Sequence, residues 1–222
     1  MPKKRASNLL LMGLTGIGMA GGALFALAIA FRISGFLGGP GYDLYSIPSS
    51  SMSPTLRIGD YMFALANVNG GEPPPRGEIV VYKWPSDLKT DFDKRVVGLP
   101  GDRVQYREGR LYLNGEMVER VRLTTAEVEM LKFSDERGVP PFYWERLPGG
   151  TRYVIAEMSD DEMLDNTDEF IVPPGHAFVL GDNRDNSLDG RKDGFVPLEL
   201  IHGKPLYIYW SKDRSRIGER IQ

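Results

Sequence analysis

The chain has 222 residues and a mass of 24.8 kDa, a length for one ordinary domain, or one domain with a membrane anchor, and not for a multi-domain assembly. With 41% hydrophobic residues, ten Tyr, ten Phe and three Trp it has the material for a packed core, which excludes wholesale disorder. A formal charge of -3 supplies no positive field for a polyphosphate, so nucleic acid is not an expected partner, and zero Cys removes disulfide, zinc-thiolate and cysteine-nucleophile schemes.

Residues 9–31 carry no charge and are almost wholly Leu, Met, Gly, Ala, Ile and Phe. As a helix this run would be roughly 34 Å long, against about 30 Å of bilayer hydrocarbon. Lys3, Lys4 and Arg5 precede it and Arg32 alone follows closely, which keeps residues 1–8 in the cytoplasm and exports the remainder. A cleavable export signal is the competing reading, with small-x-small sites at Ala26-Leu27-Ala28 and Ala28-Ile29-Ala30. Signal h-regions span about 7 to 15 apolar residues, and this run is longer, so a retained single-pass anchor is expected. Residues 32–41 are Gly-rich and read as a tether.

From Tyr42 onward short β runs alternate with Gly, Pro and Asp punctuation. Strands are expected at 61–65, 78–83, 95–97, 103–106, 111–113, 153–155, 177–180 and 205–210, with hairpin turns at Glu108-Gly109 and Asn114-Gly115. The expected fold is mostly β, an antiparallel catalytic core in two parts, 42–115 and 171–222. The segment 116–170, acidic and weaker in β signal, reads as an inserted β-rich or irregular subdomain with one short helix at 124–132. Its acids Asp160, Asp161, Glu162, Asp165, Asp168 and Glu169 lack the EF-hand spacing and glycine, so a solvated loop is expected there and no metal site. Tyr42, Leu44, Tyr45, Met52 and Phe63, near the tether, are candidates either for the bilayer surface or for the core.

The stretch Ser46-Ile47-Pro48-Ser49-Ser50-Ser51-Met52-Ser53-Pro54-Thr55-Leu56-Arg57-Ile58-Gly59-Asp60 carries the most chemistry. Composition alone makes it a loop, with two prolines fixing the backbone and serines bonding locally. A serine nucleophile needs a base, normally His, and the chain has only His176, after Pro173-Pro174-Gly175, and His202, in a turn-like Ile201-His202-Gly203. Neither sits in an obvious Asp motif, which disfavours a Ser-His-Asp triad. The other route is a neutral lysine. At pH 7 a free Lys is deprotonated in only about 4 molecules in 10,000, and bringing its pKa to about 7 takes roughly 4 to 5 kcal/mol of desolvation. Lys94, beside the apolar run Val96-Val97-Gly98-Leu99, meets that demand, although taken alone a lysine there reads more readily as one on an exposed strand face.

Four blocks together resemble the type I signal peptidases, membrane-bound serine-lysine endopeptidases of the export pathway. They are Pro48 to Asp60, Gly77-Glu78-Ile79-Val80-Val81-Tyr82, Lys94 to Asp102, and Gly181-Asp182-Asn183-Arg184-Asp185-Asn186-Ser187-Leu188-Asp189-Gly190-Arg191, in the family's order. The resemblance implies that Ser51, directly before Met52, is the nucleophile and Lys94 the general base. It implies that Ser49 joins the Ser51 N–H in an oxyanion hole, that Ser187 hydrogen-bonds and orients the lysine, and that Asp189 and Arg191 form a supporting ion pair. Gly190 departs from the serine usual in the family. No cofactor is implied. The implied substrates are signal peptides of secretory preproteins, cleaved after small residues at -1 and -3. The implied setting is the inner cell membrane, with the catalytic domain extracytoplasmic, in contact with lipid and close to the export translocon.

Three other readings share parts of the pattern. A specialised maturase, such as one trimming conjugative pilins, would keep the chemistry and narrow the substrate. Self-cleaving Ser-Lys repressors are soluble and carry a DNA-binding helix-turn-helix, which this N-terminus does not resemble. A non-catalytic membrane-tethered β module would leave the contexts of Ser51 and Lys94 unexplained.

Overall fold

The computed structural model describes residues 41–68, 71–133 and 138–222. The expected anchor at 9–31, with the segments 1–8 and 32–40 around it, lies outside the described residues, and among the described residues no helix is long and apolar enough to cross a membrane.

The strands in chain order are β1 (Tyr42–Ser46), β2 (Tyr61–Ala66), β3 (Ile79–Lys83), β4 (Asp91–Gly98), β5 (Arg103–Arg107), β6 (Arg110–Leu113) and β7 (Glu116–Met117). They continue as β8 (Glu119–Arg122), β9 (Phe142–Arg146), β10 (Arg152–Ala156), β11 (Phe170–Ile171), β12 (His176–Leu180), β13 (Val196–Pro197) and β14 (Ile201–Trp210). Helix α1 (Thr125–Leu131) and the short turn α2 (Gly190–Asp193) accompany them. The main sheet has seven strands in the order β1-β2-β14-β3-β4-β12-β13, and smaller sheets run β10-β9-β8 and β11-β5-β6-β7. The registered strand pairs are antiparallel, as the sequence predicts.

Burial follows from side-chain alternation. Met62, Ala64 and Ala66 of β2 point inward and Tyr61, Phe63 and Leu65 outward. Met62 and Ala64 join Ile47, Met52, Leu56, Ile79, Val81 and Ile208 in a core on one side of the main sheet. Val80, Val96, Ala177, Val179 and Ile201 form a second core. Phe178, Leu180 and Val97 meet Val104, Tyr106 and Leu111 from the smaller sheet in a third. Met52, 0% exposed, therefore belongs to the core and not to a bilayer surface, whereas Leu44 stays 60% exposed.

Several elements differ from the sequence reading. The strand expected at 95–97 begins at Asp91, because Ile79 to Lys83 pair with Arg95 to Asp91 residue by residue and draw the polar half of the run into the sheet. His202 lies within β14 and not in a turn; Gly203 beside it is a close approach, where a Cβ would meet the Val81 Cβ at 3.0 Å. Strands β8 (ERVR) and β9 (FYWER) are hidden by their charges. Helix α1 starts where expected, capped by Thr124 and Glu127 in a reciprocal pair of hydrogen bonds. The acidic stretch is not wholly solvated, since Asp165 is 0% exposed.

A buried ion pair ties the β9–β10 hairpin to the block after β12. Glu145 accepts from Arg184 Nη1 at 2.9 Å and also pairs with Nη2, while the Tyr153 hydroxyl donates to it at 2.5 Å and Tyr106 Oη accepts from Arg184. The Arg184 charge and the Tyr153 donor offset the burial that would otherwise raise Glu145, and they hold its carboxyl below the usual value. Glu145→Leu, which strands the Arg184 charge, is expected to lower the unfolding free energy by about 3–5 kcal/mol. Adding Arg184→Met should recover most of that loss in equilibrium denaturation of the full chain in detergent.

Candidate active site

The loop 47–60 owes its shape to two apolar anchors and one carboxylate. Met52 and Leu56, both 0% exposed, plug the core one helical turn apart, with Leu56 N donating to Met52 O at 2.9 Å. Asp60 closes the far end, accepting from Arg57 N at 2.9 Å, Ser211 Oγ at 2.7 Å and Arg216 Nη2 at 2.8 Å. Ser51, preceding the first anchor, is thereby held facing the strand β4.

Lys94 reaches this serine from β4. Its Nζ lies 2.9 Å from Ser51 Oγ and donates to its neighbour's carbonyl, Asp93 O, also at 2.9 Å. Lys94 is 2% exposed and Ser51 9%. Burial pushes the Lys94 amine below the ordinary lysine value, against the upward pull of Asp93, Asp189, Asp182 and Asp193. The Asp93 carboxyl, with an orphan buried Oδ2, is itself raised by burial against the lowering effect of the Lys94 charge. The Phe92 ring sits 5.4 Å from Nζ. The pair opens onto a cleft of about 380 Å³ whose lining includes Ile47, Pro48, Ser49, Val81, Phe92 and Leu188. Ser49 Oγ stands 3.2 Å from Ser51 Oγ, on the exposed side.

The segment 181–191 clamps the serine loop from behind. Asn183 N donates to Ser51 O and Asn183 Nδ2 to Ser50 O, each at 3.0 Å, and Asn186 Nδ2 donates to Ser50 Oγ at 2.8 Å. Asp182 links both sides of the site. Its carboxylate takes Arg95 Nε at 2.8 Å and Nη2 at 2.7 Å, and Thr55 Oγ1 at 2.5 Å. Arg95 and Asp182 are both 0% exposed, so the residue after the lysine and the loop carrying the serine share one buried, bidentate anchor. Gly181 has no room for a side chain, because a Cβ would fall 2.2 Å from Ser187 Oγ and 2.5 Å from Ser51 O.

Asp189 and Arg191 are in contact. Arg191 Nε bonds Asp189 Oδ1 and Nη2 bonds Oδ2, both at 3.0 Å, and Gly181 N also donates to Oδ2 at 3.0 Å. Burial alone would raise Asp189, but Arg191 and the Gly181 N–H hold it below the usual carboxylate value. At Gly190, the departure from the family pattern, a Cβ would meet Val179 O at 2.9 Å and the Phe178 ring at 3.0 Å, so Phe178 occupies the space a side chain would need. Ser187 is buried beside the site, but its Oγ makes no hydrogen bond to Lys94, contrary to expectation: the amine's bonds go to Ser51 Oγ and Asp93 O. Neither histidine bonds Ser51. His176 Nδ1 faces Pro174 O at 3.0 Å, and His202 pairs with Asp91 at 3.1 Å. Sequence reasoning misses the roles of Asp93, Arg95, Asp182 and Thr55; the last three stand inside the blocks, but the Arg95–Asp182 pairing spans 87 positions.

A family model described as signal peptidase, peptidase S26, matches residues 18–210. The chain is 31% identical to a signal peptidase I of Rickettsia conorii over 219 residues, covering 86% of this chain and 78% of that protein. It is 35% identical to a signal peptidase I of Pseudomonas aeruginosa, covering 79% and 62%, and 37% identical to one of Pseudomonas fluorescens, covering 78% and 66%. A crystal structure of a signal peptidase I from Enterococcus faecalis aligns with a TM-score of 0.35 at 27% identity, covering 60% of this chain and 97% of that one.

The geometry at Gly181 gives a test of the clamp. Gly181→Ala is expected to lose about 1–3 kcal/mol of stability through overpacking. The loss should persist when Ser187→Gly is added, because the Ser51 carbonyl still obstructs the new methyl. Thermal denaturation of the single and double variants checks this.

Proposed function

The chain belongs to the signal peptidase S26 family, and from that premise we propose that it removes signal peptides from exported preproteins by a Ser51–Lys94 dyad acting through an acyl-enzyme. The observation that carries the reading is the 2.9 Å contact between Lys94 Nζ and Ser51 Oγ, with the amine 2% exposed.

Neutral Lys94 keeps one N–H on Asp93 O and turns its lone pair to the Ser51 hydroxyl. As Ser51 Oγ attacks the scissile carbonyl carbon, its proton passes to Nζ. The carbonyl oxygen becomes an oxyanion, which accepts hydrogen bonds from the Ser51 backbone N–H and the Ser49 hydroxyl. Collapse breaks the C–N bond, and the Lys94 ammonium returns its proton to the leaving amine. The ester on Ser51 is then hydrolysed by water that Lys94 deprotonates in the same way. Ser187, Asp189 and Arg191 act through position: they back the serine loop and fix the distance between hydroxyl and amine. The cleft beside Ser51, with Ile47, Pro48, Val81, Phe92 and Leu188 in its lining, is the proposed seat of the small residues at -1 and -3.

The proposed setting is the one read from the sequence: 9–31 as anchor with 1–8 in the cytoplasm, 32–41 as tether, and a catalytic core of 42–115 and 171–222 with 116–170 inserted, exported near the translocon. The outward face of β2 and β14 supports a lipid-facing role, since Tyr61 packs edge-on against Trp210 with ring centroids 5.2 Å apart and both remain about two-fifths exposed.

Ser51→Ala and Lys94→Ala are each expected to lower preprotein cleavage by at least about 100-fold while the chain stays folded. Lys94→Arg should fail as well, because Arg keeps its proton. Ser49→Ala should reduce kcat by about 100- to 1,000-fold. Cleavage is read by gel and by mass spectrometry of the mature N-terminus; near wild-type turnover in either dyad variant rejects the assignment.

The pH dependence has a defined sign. Since burial lowers the Lys94 pKa and the base must be neutral, kcat/KM should rise with pH through an acidic limb placed well below the ordinary lysine value. A rate constant down to about pH 5 contradicts a lysine base.

A further inference from the structure

Away from the Ser51 cleft, Glu157 after β10, Asp165 in the loop that follows, and Asp185 in the turn Arg184–Asn186 bring carboxylate oxygens within 4.8 Å of one another. Glu157 and Asp165 are 1% and 0% exposed. Each aspartate commits one oxygen to the backbone. Asp185 Oδ2 accepts from Met158 N at 2.5 Å and Ser159 N at 3.1 Å, and Asp165 Oδ2 accepts from Glu162 N at 2.6 Å. Asp165 Oδ1, Asp185 Oδ1 and both Glu157 oxygens are buried without a hydrogen-bond donor.

Among the described residues no nearby cation donates a hydrogen bond to these four oxygens. Arg184 is held by Glu145, Arg191 by Asp189 through Nε and Nη2 with its Nη1 buried and bonded to none of the three carboxylates, and Arg120 Nη2 donates to Asp160 at 2.8 and 3.0 Å. Arg120 Nη1 approaches Glu157 Oε2 at 3.5 Å, an ion-pair contact outside hydrogen-bond geometry. Burial, with Asp185 and Asp165 beside it, lifts the Glu157 carboxyl to about 8, and Asp165 is raised too. Buried carboxylates in this condition need a compensating cation or protons.

We propose that Glu157, Asp165 and Asp185 form a structural calcium site that fastens the loop 158–165 to the turn preceding Ser187. The charge suits a hard dication bound by oxygen alone. Size favours calcium over magnesium: at about 2.3–2.6 Å per bond, oxygens across one calcium ion stand up to about 5 Å apart, whereas magnesium at about 2.0–2.1 Å draws them to roughly 4 Å. Backbone N–H donors already orient both aspartates, so the bare oxygens converge before any ion arrives. The site is independent of the catalytic assignment and is tested without reference to turnover.

The full chain in detergent, stripped with EDTA and desalted, is titrated with calcium chloride by calorimetry and followed by thermal denaturation. One equivalent of calcium should bind. At one hundred times its Kd, calcium should raise the folding equilibrium constant about 100-fold and the Tm by several degrees. Magnesium should give a smaller shift. Glu157→Gln, which keeps the shape and removes the charge, should weaken binding at least tenfold, as should Asp165→Asn. Asp161→Asn and Asp168→Asn, on exposed acids of the same segment, should bind as wild type. Absence of heat and of any calcium or EDTA effect on the wild-type Tm overturns the site and assigns the neutralisation to protons. Equal loss of binding in Asp161→Asn and Asp168→Asn overturns it as well, by reducing the effect to the loop's general charge.

Discussion

The site is built around an amine that the fold keeps from water. Lys94 is buried on β4, between β3 and β12 of the seven-stranded sheet, beside a hydroxyl on the loop that Met52 and Leu56 anchor in the core. Desolvation lowers the pKa of the amine, so between its folded value and the ordinary lysine value the native state binds fewer protons than the unfolded chain. Stability therefore rises with pH across that window and is lower on its acid side. Next to it on the strand, Arg95 is fixed by its bidentate pair with Asp182.

That pair explains why distant segments act together. Asp182 accepts from Arg95 on one side and Thr55 on the other, and its neighbour Asn183 bonds the carbonyls of Ser50 and Ser51. Glycine at 181 lets the two backbones approach, and the Asp189–Arg191 pair props the same turn through the Gly181 N–H. The β9–β10 hairpin reaches this assembly through Glu145 and Arg184, both buried. Stability and geometry at Ser51 thus depend on buried carboxylates and guanidiniums set back from the lining of the cleft.

Six strands were legible as apolar runs between turn signals: β2, β5 and β6 alternate, while β3, β10 and β12 are continuous apolar runs buried on both faces. The charged strands β8 and β9 were not, since periodicity counts Glu145 and Arg120 as solvent-facing when each is buried against an opposite charge. Ser51 and Lys94 were legible only through the resemblance of their blocks; nothing local distinguishes Lys94 from a lysine on an open strand. The clamp at Asp182 and Arg95 joins residues 87 positions apart, and no window along the chain reports such a contact. The same limit applies to Asp165, one acid among many in sequence yet buried opposite Glu157 and Asp185 in space.

The most direct test is the titration of Lys94 itself. With lysine labelled at 13Cε, the full chain in micelles gives a resonance identified by its loss in Lys94→Met. The account predicts that this signal titrates well below the roughly 10.4 of a free lysine. A Lys94 resonance that stays charged until the ordinary lysine range contradicts it.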